Sequence, residues 1–306
     1  MRYDLVIIGA GPAGLAAALD AAYLKMKTLV LEAGKAGGAL TQSYPWKRVD
    51  SCLGLSNMVG SEVAEKMISH VKDEGIVIRE NEHVESVERH GGKFLVATGH
   101  GRYECGSVIV ATGIRGVPRK LGVEGEELEG VDYAVTDPVK FKGKKVLVVG
   151  GGDSAVDSAL GLLEAGARVW LAHRRDDLRA VDESKEKIRK SQVRILWNTE
   201  VSGMVGVKAV ESVTLSNNVT GKKTTLPFDS VIICTGSIPV KECIEKLGIK
   251  MEGICVPVNK DGMTSMPGIF AAGDIVSDIK RIPQALATGE RATYSAYKYL
   301  RNPYWK

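Results

Sequence analysis

The chain has 306 residues, room for about two domains with a sizeable core in each. Hydrophobic residues make up 44% and charged residues 25%, and no apolar run reaches the roughly 18 residues that span a bilayer, so a membrane protein is not expected. The net charge of +4 comes without a basic run interleaved with aromatics, which argues against a nucleic-acid partner and suits at most a mildly acidic protein.

The first element is an apolar strand at 5–8, inside "DLVIIGAGPAGLAAAL". A glycine turn follows, with Gly9, Gly11 and Gly14, and then a small-residue helix to about residue 24. A strand this early leaves no space for a signal peptide, so a cytoplasmic location is expected. A second strand covers 28–31 and ends at Glu32. "ERHGGKFLVAT" reads as a hairpin turning at Gly91 and Gly92, and "VIVATG" closes at Gly113. The chain then becomes turn-rich, and the pattern restarts. There is a strand at 146–149, a turn with Gly150, Gly152 and Ala155, and a helix to about 164. A strand at 169–172 follows, and later "VIICTG" ends at Gly236. The last part has "PGIFAAGD" and a closing helix but no third glycine turn. Strands alternating with helices predict an α/β fold with two Rossmann-type domains, the second inserted into the first. The expected bounds are 1–114 with 242–306 for the first, and 115–241 for the second.

Each glycine turn has the context that a dinucleotide site needs, a strand before and a helix after. The glycines allow a tight turn and let a pyrophosphate approach the backbone, and the helix N-terminus offers free N–H groups and a positive dipole end. The residue 18 positions beyond the last small residue of each turn separates the two. In the first turn it is Glu32, a carboxylate suited to ribose hydroxyls. In the second it is His173, and Arg174, Arg175 and Arg179 follow in "HRRDDLRA". Guanidinium groups give forked, charge-assisted hydrogen bonds, so this cluster suits a 2′-phosphate. The second site is therefore expected to hold NADP(H). A hydride carrier bound twice would achieve nothing, and FAD in the first site supplies an acceptor for the hydride.

The five cysteines, Cys52, Cys105, Cys234, Cys243 and Cys255, form no CxxC and no zinc spacing, and no metal site is expected.

The motifs "GAGPAGLAAA", "VIVATG", "GGGDSAVDSA", "HRRDDLRA" and "GIFAAGD", in that order, resemble the two-domain flavoproteins of the thioredoxin reductase fold over nearly the whole chain. Those reductases carry a CxxC just before the second glycine turn. Here Tyr133-Ala134-Val135-Thr136-Asp137 holds no sulfur, so a dithiol relay cannot run. In this the chain resembles the thioredoxin-reductase-like ferredoxin–NADP⁺ reductases. Two further stretches carry the likeness: "GGALTQSYPWKRVDSCLGL", with Tyr44, Pro45, Lys47 and Gly54 at matching places, and "QALATGE". Two features depart from the pattern. Ala39 stands where a flavin-contacting Gln is usual, and the tail that lays a ring over the flavin is short, leaving Tyr304 or Trp305 for that job.

The resemblance implies an FAD site of Gly9, Gly11, Pro12, Ala13, Gly14, Glu32, Ala33, Gly38, Leu40, Gly113, Gly273, Asp274, Gln284 and Ala285. Asp274 would accept from a ribityl hydroxyl, and the helix starting near Gln284 would stabilise the reduced ring. It implies an NADP(H) site of Gly150, Gly152, Asp153, Ser154, Ala155, His173, Arg174, Arg175, Arg179 and Gly236. Tyr44 is the candidate for stacking on the flavin. Hydride transfer needs no acid or base, so no other catalytic side chain is expected. The implied activity is electron transfer between NADP(H) and a ferredoxin- or flavodoxin-type carrier, acidic in character, by a homodimer. The alternatives are direct reduction at the flavin of a small disulfide, quinone or oxygen, with Cys52 the one thiol in a loop expected near it, or a redox sensor that does not turn over.

Overall fold

The computed structural model describes residues 2–114, 116–239 and 248–302. Cys243, Tyr304 and Trp305 lie outside the described residues. The chain packs as two compact units, Met1–Gly116 with Pro239–Lys306, and Val117–Ile238.

The first unit opens with β1 (Arg2–Ile8), α1 (Pro12–Tyr23) and β2 (Thr28–Leu31). A short α2 (Ala39–Gln42) and then α3 (Gly60–Asp73) lead to β3 (Val77–Arg79). The predicted hairpin forms from β4 (Val84–His90) and β5 (Lys93–Thr98), with Gly91 and Gly92 both at positive φ. It runs on into β6 (Gly101–Val110). The strand order is β3-β2-β1-β6-β5-β4, parallel from β3 to β6 and antiparallel through the hairpin. Leu5, Val6 and Ile7 are all fully buried, as a parallel strand covered on both faces requires.

A two-stranded ribbon, β7 (Gly116–Pro118) paired with β16 (Ser237–Pro239), carries the chain out of and back into the first unit. The second unit has β8 (Val131–Asp132), β9 (Lys145–Gly150), α4 (Asp153–Glu164) and β10 (Arg168–Ala172). It continues with α5 (Asp182–Lys190), β11 (Arg194–Leu196), β12 (Thr199–Val205), β13 (Ser212–Asn217), β14 (Lys223–Pro227) and β15 (Ser230–Cys234). Five of these strands form a parallel sheet in the order β11-β10-β9-β15-β8, and β12, β13 and β14 form a separate antiparallel sheet. The chain then returns to the first unit. There β17 (Ile269–Ala271) pairs with the end of β6, and α6 (Ile282–Arg301) packs on α1.

The α1–α6 contact is unusually close because its residues are small. A methyl group on Gly289 would stand 2.2 Å from the Ala13 carbonyl oxygen, and the buried Thr293 hydroxyl donates to the Ala17 carbonyl at 3.1 Å. A glycine inside a helix costs about 1 kcal/mol against alanine, and the close approach is what it permits.

Glu82 is a buried carboxylate that ties β3 to the hairpin. The hydroxyls of Thr98, at 2.9 Å, and Tyr103 both donate to it, and Arg79 lies 3.6 Å away. Burial pushes its acidity toward the neutral form, but those hydrogen bonds and the Arg79 charge outweigh burial and hold the carboxyl below its usual range. Glu82→Ala leaves these donors unmet and is expected to lower unfolding stability by about 2–3 kcal/mol in urea titrations at neutral pH. Because the folded pKa is depressed, the contribution is present above the unfolded pKa and is lost on acidification. The gap between variant and wild type should therefore narrow below about pH 4. A variant as stable as wild type at neutral pH would refute the assignment.

Candidate functional site

In the first unit, β1 delivers its chain end to a tight turn at Gly9. A methyl there would meet the Ala111 carbonyl oxygen at 2.4 Å, in the "ATG" segment after β6, and the backbone φ of +105° suits only glycine. A methyl on Gly14 would stand 1.9 Å from the Gly9 oxygen, so this glycine lets α1 close on the turn. Gly11 differs: a methyl there would meet only the Gly38 Cα, at 3.8 Å, so its outer side is open. Gly11 caps α1 with no side-chain hydrogen bond, leaving backbone N–H groups for a ligand.

The walls of this cradle come from distant segments. Glu32 accepts from the Ala10 and Gly34 N–H groups, each at 2.8 Å, and Gly37 N–H donates to the Ala10 carbonyl at 2.8 Å. Glu80, which the sequence reading did not single out, accepts from Ala36 N–H at 2.7 Å and holds the same loop. Ala33 is exposed and Leu40 half-buried along it. From the C-terminal side, Gly273 packs on Ala13 and is held by the Thr288 hydroxyl, which accepts from its N–H at 2.9 Å. Asp274 follows in a single 3-10 turn. Burial pushes the pKa of its carboxyl up, opposed by Lys280, whose ammonium donates to the Asp274 carbonyl. Pro283, Gln284 and the buried Ala285 open α6, which has no side-chain cap. Gly113 sits at φ +65° with open space around it. Tyr44 is half-buried beyond α2. Its carbonyl rests on Gly60, and the Lys47 ammonium lies 5.9 Å from its ring centre.

The second unit repeats the turn. A methyl on Gly150 would meet the Cys234 carbonyl oxygen at 2.5 Å, the counterpart of the Gly9–Ala111 contact, and the methyl of Ala155 at 2.9 Å. A methyl on Gly152 would meet nothing within 4 Å, and Gly152 caps α4 without a side chain, so its outer side is open like that of Gly11. Asp153 and Ser154 are exposed on the first turn of α4, and Gly236 lies at φ +98° after β15.

The loop after β10 is fastened against this turn. Arg179 N–H donates to the Gly151 carbonyl at 2.6 Å, and Val181 N–H to the Asp153 carboxylate at 3.0 Å. Asp177, also outside the sequence reading, pairs with Lys185 at 2.6 Å and Arg189 at 3.1 Å on α5. Arg174, Arg175 and Arg179 are exposed, and none makes an ion pair among the described residues. His173 faces the other way. It is 6% exposed, and its ring lies over Gly151, where a methyl would be 2.2 Å from it. Spacing puts His173 at the place of Glu32, but its ring supports the turn from beneath.

The stretch before the second turn carries no thiol. Tyr133 donates its hydroxyl to the buried Glu126 at 2.8 Å, and burial together with that carboxylate pushes the phenol up to about 12. Glu126 also accepts from Leu121 and Gly122 N–H groups at 2.7 and 2.8 Å. The thiols of Cys105 and Cys234 are pushed by burial up to about 12 and about 11, and burial raises Cys52 as well. Among the described residues there is no cluster that could hold a metal ion, and no helix is long and apolar enough to cross a membrane.

The chain matches the pyridine nucleotide-disulphide oxidoreductase family over residues 3–289. It belongs to that family. A ferredoxin–NADP reductase of Ignicoccus hospitalis is 36% identical over 99% of each chain. A thioredoxin reductase of Listeria innocua is 36% identical over 97% of this chain and 94% of its own. The crystal structure of Lactococcus lactis thioredoxin reductase superposes with a TM-score of 0.90 at 35% identity, covering 98% of this chain and 100% of that one. As a pyridine nucleotide-disulphide oxidoreductase, the protein is a flavin-dependent NAD(P)H oxidoreductase with FAD and NADP(H) as cofactors. The residues present fit such groups. Both turns have an open glycine and an uncapped helix start where phosphates need backbone N–H groups.

Proposed function

We propose that the protein transfers electrons between NADP(H) and a ferredoxin- or flavodoxin-type carrier, with FAD held in the first unit and NADP(H) in the second. The observation that carries this reading is the stretch Tyr133–Asp137. In a chain that otherwise has both nucleotide turns, the place of a redox dithiol is taken by a tyrosine anchored to a buried glutamate. The name of the Ignicoccus hospitalis relative supports it.

In this reading Gly11, the α1 N-terminus and Gly38 receive the pyrophosphate of FAD, Glu32 its ribose, and Asp274 its ribityl chain. FAD, when bound, accepts a hydride and gives up electrons singly. Tyr44 would cover the flavin ring, and the positive dipole end at the start of α6 would favour its reduced, anionic form. Gly152 and the α4 N-terminus receive the coenzyme phosphates, while Arg174, Arg175 and Arg179 bind the 2′-phosphate. The carrier is an acidic protein, consistent with a net charge of +4. The working form is a homodimer, as the resemblance implies, and it works in the cytoplasm.

The test is an acceptor panel with FAD-loaded protein: ferredoxin, flavodoxin, thioredoxin, a quinone and oxygen. NADPH-dependent cytochrome c reduction should rise at least about tenfold on adding ferredoxin, while thioredoxin is not reduced. No stimulation by ferredoxin or flavodoxin would overturn the carrier assignment. Cys52→Ser should keep full turnover, because a thiol whose acidity is weakened by burial is a poor nucleophile at neutral pH. Loss of turnover in this variant with disulfide substrates would favour direct disulfide reduction instead.

A further inference from the structure

The basic loop leaves β10, and the three-stranded antiparallel sheet meets it from the side. Arg174 and Arg175 are exposed, yet the peptide groups around them are fastened. The Asn218 carboxamide donates to the Arg174 carbonyl at 2.7 Å. The Asn198 N–H donates to the Arg175 carbonyl at 3.1 Å. The Asn218 N–H donates to the Asn198 carbonyl at 2.8 Å, so the two asparagines form one brace. A carbonyl belongs to the planar peptide that follows its residue. The brace therefore fixes the peptide joining Arg174 to Arg175 and the one joining Arg175 to Asp176. Arg175 is held on both sides.

Each asparagine is placed by local chemistry. Asn198 lies between β11 and β12 at φ +52°, a left-handed conformation that asparagine adopts more readily than most residues. Asn218 lies in the turn between β13 and β14, and its neighbour shapes that turn. The Asn217 side-chain oxygen accepts from the Val219 N–H at 3.1 Å and the Thr220 N–H at 2.9 Å. The Gly221 N–H donates to the Asn217 carbonyl at 2.8 Å, and the Asn217 N–H to the Lys222 carbonyl at 2.9 Å. The turn thus closes without the Asn218 side chain, which reaches instead to a residue 44 positions earlier.

We propose that Asn218 is a positioning residue for coenzyme selection, presetting the loop of Arg174 and Arg175 for the 2′-phosphate of NADP(H). The inference rests on the assignment of NADP(H) to this unit. A guanidinium grips a phosphate through a rigid fork, so the gain depends on where its main chain holds it. An exposed arginine also loses rotamer freedom on binding, and a fixed backbone confines that loss to the side chain. Asn218 acts through the Arg174 peptide and needs no contact with the coenzyme. A nucleotide without the 2′-phosphate makes no use of the arginines and should not register the brace.

The experiment is calorimetric titration of the FAD-loaded protein with adenosine 2′,5′-bisphosphate and with adenosine 5′-monophosphate. Asn218→Ala should bind the bisphosphate about fivefold more weakly, the effect of one exposed hydrogen bond, and the monophosphate as wild type does. Asn218→Gln keeps the amide donor on a longer stem and should recover part of the loss. In a protein that already carries Arg174→Ala and Arg175→Ala, Asn218→Ala should add nothing, because no guanidinium is left to position. No loss with the bisphosphate, an equal loss with both probes, or a further loss without the arginines would overturn the proposal and leave the coenzyme assignment intact. Equal binding of both probes by wild type would instead overturn the assignment itself. If Asn218→Ala does not fold, Asn218→Leu, similar in size and without a donor, takes its place with the same outcomes.

Discussion

Gly11→Ala should give a folded protein that purifies without flavin. The new methyl meets no protein atom closer than 3.8 Å, and the backbone at φ −76°, ψ −178° is open to any residue. Thermal stability of the apoprotein should therefore be unchanged. The methyl would instead occupy the space a pyrophosphate needs beside the α1 N-terminus. A loss of about 3 kcal/mol of binding, or about 10²-fold in flavin affinity, is expected, read from flavin fluorescence quenching and the absorbance ratio of the purified protein. Gly14→Ala provides the contrast. Its methyl would lie 1.9 Å from a backbone oxygen, so α1 has to move and the apoprotein itself should lose stability. Flavin binding by Gly11→Ala with wild-type affinity would remove this turn from the proposed site.

The second large effect is expected at the basic loop. Arg174→Ala with Arg175→Ala should raise the KM for NADPH about 10²-fold, because each charged hydrogen bond is worth about 1.5–3 kcal/mol and exposure favours the lower figure. The KM for NADH should move by less than about threefold, since the unphosphorylated ribose makes no use of these groups. Lysine replacements should recover only part of the loss, because an ammonium lacks the forked geometry. Raising the salt concentration should erode the wild-type preference and leave the variant unchanged. An equal loss with both coenzymes would mean that the loop positions the turn without reading the phosphate.

The duplicated turns were legible in the sequence because their chemistry is local. Strand, glycines and helix start lie within about a dozen residues, and the small residue at each place has a steric reason, as Gly9, Gly14 and Gly150 demonstrate. The hairpin at Gly91 and Gly92 was legible on the same grounds. The supports of the sites were not. Glu80 reaches Ala36, Asp177 reaches α5, and Thr288 reaches Gly273, and each pairing joins segments whose proximity exists only after folding. His173 illustrates the limit most directly. Spacing locates it at the end of β10, but spacing does not say whether a ring points outward to a ligand or inward onto Gly151. One signal was available and unused: Gly289 in the middle of a helix, which marks a close helix contact.

The interruption of the first unit by the second has a consequence for biosynthesis. During translation, β1, α1 and β6 leave the ribosome early, but their partners β17 and α6 arrive only after the whole of the second unit has been made. Until then the face of α1 that packs on α6 lacks its partner, and Gly273 and Thr288 are missing from beside the first glycine turn. The second unit, by contrast, is one uninterrupted stretch of chain, Val117–Ile238. Maturation is thus ordered by topology: the second unit is complete in the chain first, and on the proposed assignment flavin capture is a late event in the life of the nascent polypeptide.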